Sequence, residues 1–184
     1  MQEERLATQA HTDHLTGLAN RHAFDKALAR EWKRTLRGRS EISLLLLEID
    51  HFEGFSNLYG QQAADDCLRN VADAVAGALR ATDIAARYSE EKIAIILPST
   101  AISGALEVAE KIRSAVDALR IAHEGNPERS VWLTISIGAA AALAQHDGTF
   151  NMPASLLDAA DSAVHKATSE GRNCVATAPL RNGS

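Results

Sequence analysis

Cysteine is scarce in this chain: two among 184 residues, Cys67 within a helical pattern and Cys174 near the end. That count supports neither a disulfide framework nor a cysteine-based metal centre, and a reducing, cytoplasmic setting is the simplest expectation. Long apolar runs are missing as well. The "LLLL" at 44–47 falls far short of the ~20 residues of a spanning helix, and "MQEERLATQAH" lacks the apolar stretch of a signal peptide, so no membrane insertion by this segment is expected. Nor is there a basic excess. The net charge is −5 with Lys and Arg scattered, which excludes a surface built to neutralise a nucleic-acid polymer. The seven histidines show no paired helical spacing of a zinc site. No repeat, low-complexity run or Pro/Gly/Ser linker divides the chain, and the length suits one core.

What is present is alternating helical and strand patterning. Ala23, Phe24, Ala27, Leu28 and Trp32 recur every three or four residues, which predicts a helix over 20–37. "ISLLLLEI" at 42–49 is almost continuously apolar, as for a central strand covered on both faces, with Glu48 its polar exception. A second helix is predicted over 63–79, then a hairpin, "ARYSEEKIAIILP", whose turn Ser89-Glu90-Glu91-Lys92 carries three charges and no glycine. Ser99 stands where an N-cap would begin the next helix. "VWLTISIGA" at 131–139 alternates as a strand, residues 154–169 form a last helix stopped by Gly171, and "CVAT" closes the sheet. Helices laid on a sheet that contains an antiparallel hairpin make an α/β (α+β) sandwich.

Six segments, "DHLTGLANRHAF" at 13–24, "LLLEIDHF" at 45–52, the Gly60 and Asp65 that follow, "RATDIAARYSEEKIAIILP" at 80–98, "LTISIGAA" at 133–140 and "DSAVHKATSEGRN" at 161–173, follow the order found in GGDEF domains, which the chain resembles from Asp13 to about Thr177. The resemblance implies a nucleotidyl cyclase-like, palm-like fold: a central five-stranded mixed sheet flanked by helices. It places a domain at 13–178, a coupling helix or linker at 1–12 and a tail at 179–184. Active members of the family are diguanylate cyclases, in which two GTP-loaded protomers join their nucleotides into cyclic di-GMP. That is in-line phosphoryl transfer, dependent on divalent metal held by carboxylates.

Several positions depart from the family pattern. Glu48 stands for a metal-binding Asp, and Ser89-Glu90-Glu91-Lys92-Ile93 replaces Gly-Gly-Asp/Glu-Glu-Phe, so that only Glu91 keeps the expected chemistry. Glycine would allow positive φ and close backbone approach to phosphate; Ser89 and Glu90 do not. Lys92 sets a cation in a metal position, where even at an effective dielectric of ~20 a unit charge pair at ~4 Å is worth ~4 kcal/mol, doubled for a divalent ion. Ser56 takes the place of a guanine-reading Asn, whereas Asp65 is kept; Thr168 and Glu53 replace phosphate-side lysines, whereas Arg172 is kept. The expectation is therefore a vestigial active site (Glu48, Glu91, Lys92; Ser56, Asp65, Ser89, Glu90, Arg172), no enzymatic activity, no required cofactor, and Mg²⁺ only if GTP binding persists.

The family's product-inhibition motif, Arg-x-x-Asp five residues before the signature turn, is intact as Arg80-Ala81-Thr82-Asp83. A guanidinium can pair with guanine's O6/N7 edge or a phosphate, and a carboxylate can accept from N1 and N2. Lys111, with Arg113 as a nearby substitute, matches a helper Arg, and Arg34 matches one that reaches the ligand on a neighbouring domain. The resemblance thus implies a cyclic di-GMP receptor and signalling module, coupled to an attached sensor or output domain and able to form a homodimer. A GTP-binding regulatory domain of a phosphodiesterase, a nucleotide-free scaffold and a weak residual cyclase are the alternatives.

Overall fold

A computed structural model describes residues 10–127, 131–143 and 153–178; the tail at 179–184 and residues 1–9 of the expected coupling segment lie outside the described residues. The chain runs α1 (Arg21–Gly38), β1 (Glu41–Ile49), α2 (Phe52–Tyr59), α3 (Gln61–Gly77), β2 (Ile84–Arg87), β3 (Lys92–Pro98), α4 (Ile102–Ala118), β4 (Ile135–Leu143), α5 (Pro153–Ser169) and β5 (Val175–Thr177). The strands form one sheet in the order β2-β3-β1-β4-β5. β1 is antiparallel to both neighbours, β2 is antiparallel to β3, and β5 joins β4 in parallel. This is the five-stranded mixed sheet the resemblance implies.

The apolar run of β1 works because both faces of the sheet are covered. Strand residues alternate between faces, so Leu45, Leu47 and Ile49 meet α2, α3 and α4, while Ile42, Leu44 and Leu46 meet α1 and α5. The leucines are fully buried, each contributing roughly 1.5–3 kcal/mol over exposure. Gly138 of β4 is the point of closest approach on the second face. A Cβ there would lie 2.3 Å from the Val164 backbone nitrogen and 2.4 Å from the Ala160 carbonyl oxygen of α5.

Three local expectations need correction. The strand expected from residue 131 begins at Ile135, because Ile135 already pairs with Ile49, the last residue of β1; before it, Trp132 pairs with Ala122 in an isolated bridge. Ser99 does not cap α4. Its φ is +51°, Ala101 holds the N-cap position without a side-chain cap, and the Thr100 N–H donates to the Glu41 carbonyl. The short helix α2 was absent from the sequence pattern. Among the described residues no helix is long and apolar enough to cross a membrane.

Candidate functional site

Asp50, the residue after β1, is a buried carboxylate, 2 % exposed. Its carboxylate accepts from the hydroxyls of Thr134 (2.7 Å) and Ser136 (2.6 Å) and from the Asn173 N–H (3.0 Å). Buried carboxylates persist when donors surround them in this way. The tie fixes the end of β1 against β4 and against the turn after α5. His51 then turns the chain with φ +53°, and its carbonyl accepts from the Phe55 N–H at 3.0 Å and lies 3.1 Å from Nε2 of the fully buried His123.

Around this turn opens a cleft of about 420 Å³, lined among others by Glu48, Glu53, Asn57, Glu91, Thr168 and Arg172. The fold thereby unites five residues that the sequence singled out from three distant segments. Ser56 and Asp65 are not among its walls; Asp65 accepts from the Gln61 side-chain amide at 2.8 Å. Asn57, one residue past Ser56, does line it, and sequence matching by position overlooked it. His51 was likewise overlooked, as was the knot at Asp50, because hydroxyl donors 84 and 86 residues away leave no local signal.

The signature turn closes without positive φ at any of residues 88–92. The N–H groups of Tyr88 (2.9 Å) and Ser89 (3.2 Å) both donate to the Lys92 carbonyl. Arg87 fastens the turn from outside, donating to the Glu90 carbonyl at 3.2 Å and pairing with Asp13 at 3.4 Å. Asp13 in turn accepts from the Thr16 hydroxyl and N–H. Burial pushes the Asp13 carboxyl up, but those hydrogen bonds and the Arg87 charge outweigh it and hold it below the usual range. Lys92 stands opposite Glu48 in the register, yet its ammonium pairs with Asp161 of α5 at 3.3 Å and is not part of the cleft wall.

Glu91 carries the consequence of crowded carboxylates. Burial first, then the charges of Glu48, Glu53 and Glu90, push its carboxyl above the ordinary 4.5, with Lys92 a partial offset. The folded chain therefore holds a proton that the unfolded chain has already released, and stability falls as pH rises from the ordinary value through the raised one. Glutamine at this position removes the cost. The melting temperature of Glu91→Gln is expected to exceed the parent's by about a degree or two at pH 7 and to merge with it below about pH 4. Equal melting at pH 7 would contradict the crowding.

At the other side of the molecule, after α3, Arg80 and Asp83 close a turn on themselves. The Asp83 carboxylate accepts from the Arg80 N–H (2.9 Å), Nε (3.3 Å) and Nη2 (3.1 Å). Its side chain is 0 % exposed while that of Arg80 is 58 % exposed. Arg80 Nη2 also reaches Thr100 Oγ1 at 2.8 Å.

The other cations expected at this site lie on α4 and α1. Lys111 is exposed. Arg113 is engaged by Glu110 and by Asn173 Oδ1. Arg34 pairs with Glu31 at 3.4 Å on α1, which covers the opposite face of the sheet.

Comparison with known proteins matches residues 10–174 to the family model described as "Diguanylate cyclase, GGDEF domain". The response regulator PleD of Caulobacter vibrioides is 38% identical over 166 residues, covering 89% of this chain and 35% of PleD. Diguanylate cyclase DgcM of Escherichia coli K12 is 32% identical over 176 residues, 96% of this chain and 40% of DgcM. The chain thus spans well under half the length of these relatives. Among solved structures, the GGDEF domain of DgcB from Caulobacter crescentus in complex with c-di-GMP is 34% identical, with a TM-score of 0.81 over 91% of this chain and 92% of that one.

The expectation that the chain is not an enzyme is overturned by these matches, since relatives along nearly its whole length are named diguanylate cyclases. The physical argument behind that expectation also weakens in the structure. It rested on a lysine charge within the metal position, and Lys92 spends that charge on Asp161. It rested equally on lost glycines, and the turn closes without a left-handed residue.

Proposed function

The chain belongs to the GGDEF family, and on that premise we propose that it binds cyclic di-GMP at Arg80 and relays that binding to an attached domain as a signalling receptor. The observation that carries the reading is an arginine that is fixed in place yet largely open to solvent. A guanidinium so placed can donate to the acceptor edge of guanine, pair with a phosphodiester, and stack its plane on a base. A DgcB domain of the same family, 34% identical, has been seen with this ligand, which supports the choice. Arg34 lies on the far face and would serve the ligand of a second copy, so that cyclic di-GMP joins two chains.

The cleft at Glu48 and Glu91 supports a second reading, a guanine nucleotide with its phosphates near Arg172 and its polar edge near Asn57. Two mutually repelling carboxylates suit a divalent ion that takes its remaining ligands from phosphate and water, as Mg²⁺ commonly does. Glu48 and Glu91 would hold that ion, and it would supply charge neutralisation at the phosphates. Arg172 would orient the phosphates, and the ion's charge would relieve the carboxylate crowding that raises Glu91 in its absence.

Calorimetric titration of the chain with cyclic di-GMP, and separately with GTP and Mg²⁺, tests both readings. Saturable 1:1 or 2:1 binding of cyclic di-GMP is expected. No heat with either nucleotide would favour a scaffold role, and heat with GTP alone would move the function to the cleft.

A further inference from the structure

Arg80 is held by more than its motif partner. The hydroxyl of Thr100 donates to the Pro98 carbonyl at 2.9 Å, so its oxygen lone pairs are left to accept, and it accepts from Arg80 Nη2 at 2.8 Å. Thr100 is itself immobilised. It is 8 % exposed, its N–H donates to the Glu41 carbonyl at 3.2 Å, and its carbonyl accepts from Ser43 Oγ at 2.6 Å. Both residues that anchor it belong to β1, the central strand. On the other side, Asp83 takes Nε and Nη2. Among the described residues Nη1 meets no acceptor.

We propose that Thr100 is a positioning residue for the cyclic dinucleotide site, clamping Arg80 so that Nη1 and the planar face of the guanidinium meet the ligand while Thr100 itself does not touch it. The inference rests on the reading of Arg80 given above and specifies how it works. An arginine free to rotate loses that freedom when it binds, whereas a clamped one has lost it on folding and presents its donors ready aligned. Nη2 has its hydrogens committed to Asp83 and Thr100, with the Pro98 carbonyl also within reach at 3.4 Å. Recognition then falls to the two hydrogens of Nη1 and to stacking, which suits a flat purine beside a phosphodiester.

The test is titration of the chain and two variants with cyclic di-GMP, with melting temperatures measured alongside. Thr100→Val keeps the shape and removes the acceptor, and is expected to weaken binding about tenfold. Thr100→Ser keeps the hydroxyl and sheds the methyl, and is expected to bind within about twofold of the parent. A merely structural role would instead make affinity follow melting temperature across both variants. Binding by the parent with equal affinity in Thr100→Val would overturn the inference and leave the reading of Arg80 standing. Absence of binding by the parent, with the fold intact, would overturn the reading and the inference with it.

Discussion

Replacing Gly138 by alanine is expected to lower the melting temperature by about 6–12 °C, the shift that about 3 kcal/mol of overpacking produces in a domain of this size. The added Cβ would fall 2.3 Å from the Val164 nitrogen, 2.4 Å from the Ala160 oxygen and 2.7 Å from the Ala163 carbonyl carbon. All three are backbone atoms of one helix, so no side chain can swing aside; α5 must lift from β4. Lifting it also moves Asp161, the partner of Lys92, and the end of the helix that leads to Thr168 and Arg172. Gly77, near the end of α3, is the control, because a Cβ there meets nothing within 4 Å. Gly77→Ala should be neutral or slightly stabilising. Thermal denaturation followed by circular dichroism checks both, and a Gly138→Ala chain melting within 2 °C or so of its parent would show that α5 rides higher on the sheet than described.

The largest effect on binding is expected from Arg80→Ala, which should weaken cyclic di-GMP by about a hundredfold or more. Charge-assisted hydrogen bonds and base stacking are lost together, and a factor of one hundred corresponds to ~2.7 kcal/mol. The substitution also strips the buried Asp83 carboxylate of two of its three donors, leaving the backbone N–H, so some loss of stability accompanies it. Arg80→Lys separates the two consequences. A lysine keeps the positive charge beside Asp83 but has no second nitrogen to turn outward, and the variant is expected to fold like the parent while binding weakly. Unchanged affinity in Arg80→Ala, measured by calorimetry, would exclude this turn as the ligand site.

Much of this architecture was legible because it depends on periodicity. The unbroken apolar run of β1 announced a strand buried on both faces, and Leu44 through Leu47 bear this out at 0 % exposure. The pattern misled where a residue's state depends on its neighbours. Val131 and Trp132 alternate as a strand should, but β1 has ended before it can pair with them. Ser99 has the chemistry of an N-cap, but the adjacent Thr100 is drawn into contacts with β1 that start the helix later.

The site divides in the same way. Glu48, Glu91 and Arg172 were found by position and converge on one cleft. What sequence could not convey was direction: that Lys92 points to α5, that Asn57 rather than Ser56 faces the cavity, and that Asp83 points inward beneath its own arginine.

The knot at Asp50 has a temporal side. Its last donor, the Asn173 N–H, lies 123 residues further along the chain. At the ~5–20 residues per second of ribosomal synthesis, the carboxylate emerges roughly 6–25 s before that donor exists. Until then the central strand has a buried-type anion with no finished burial site, and water must serve it. The cleft therefore cannot mature piecemeal as the nascent chain lengthens; it is completed only when the turn after α5 arrives, late in the birth of the molecule.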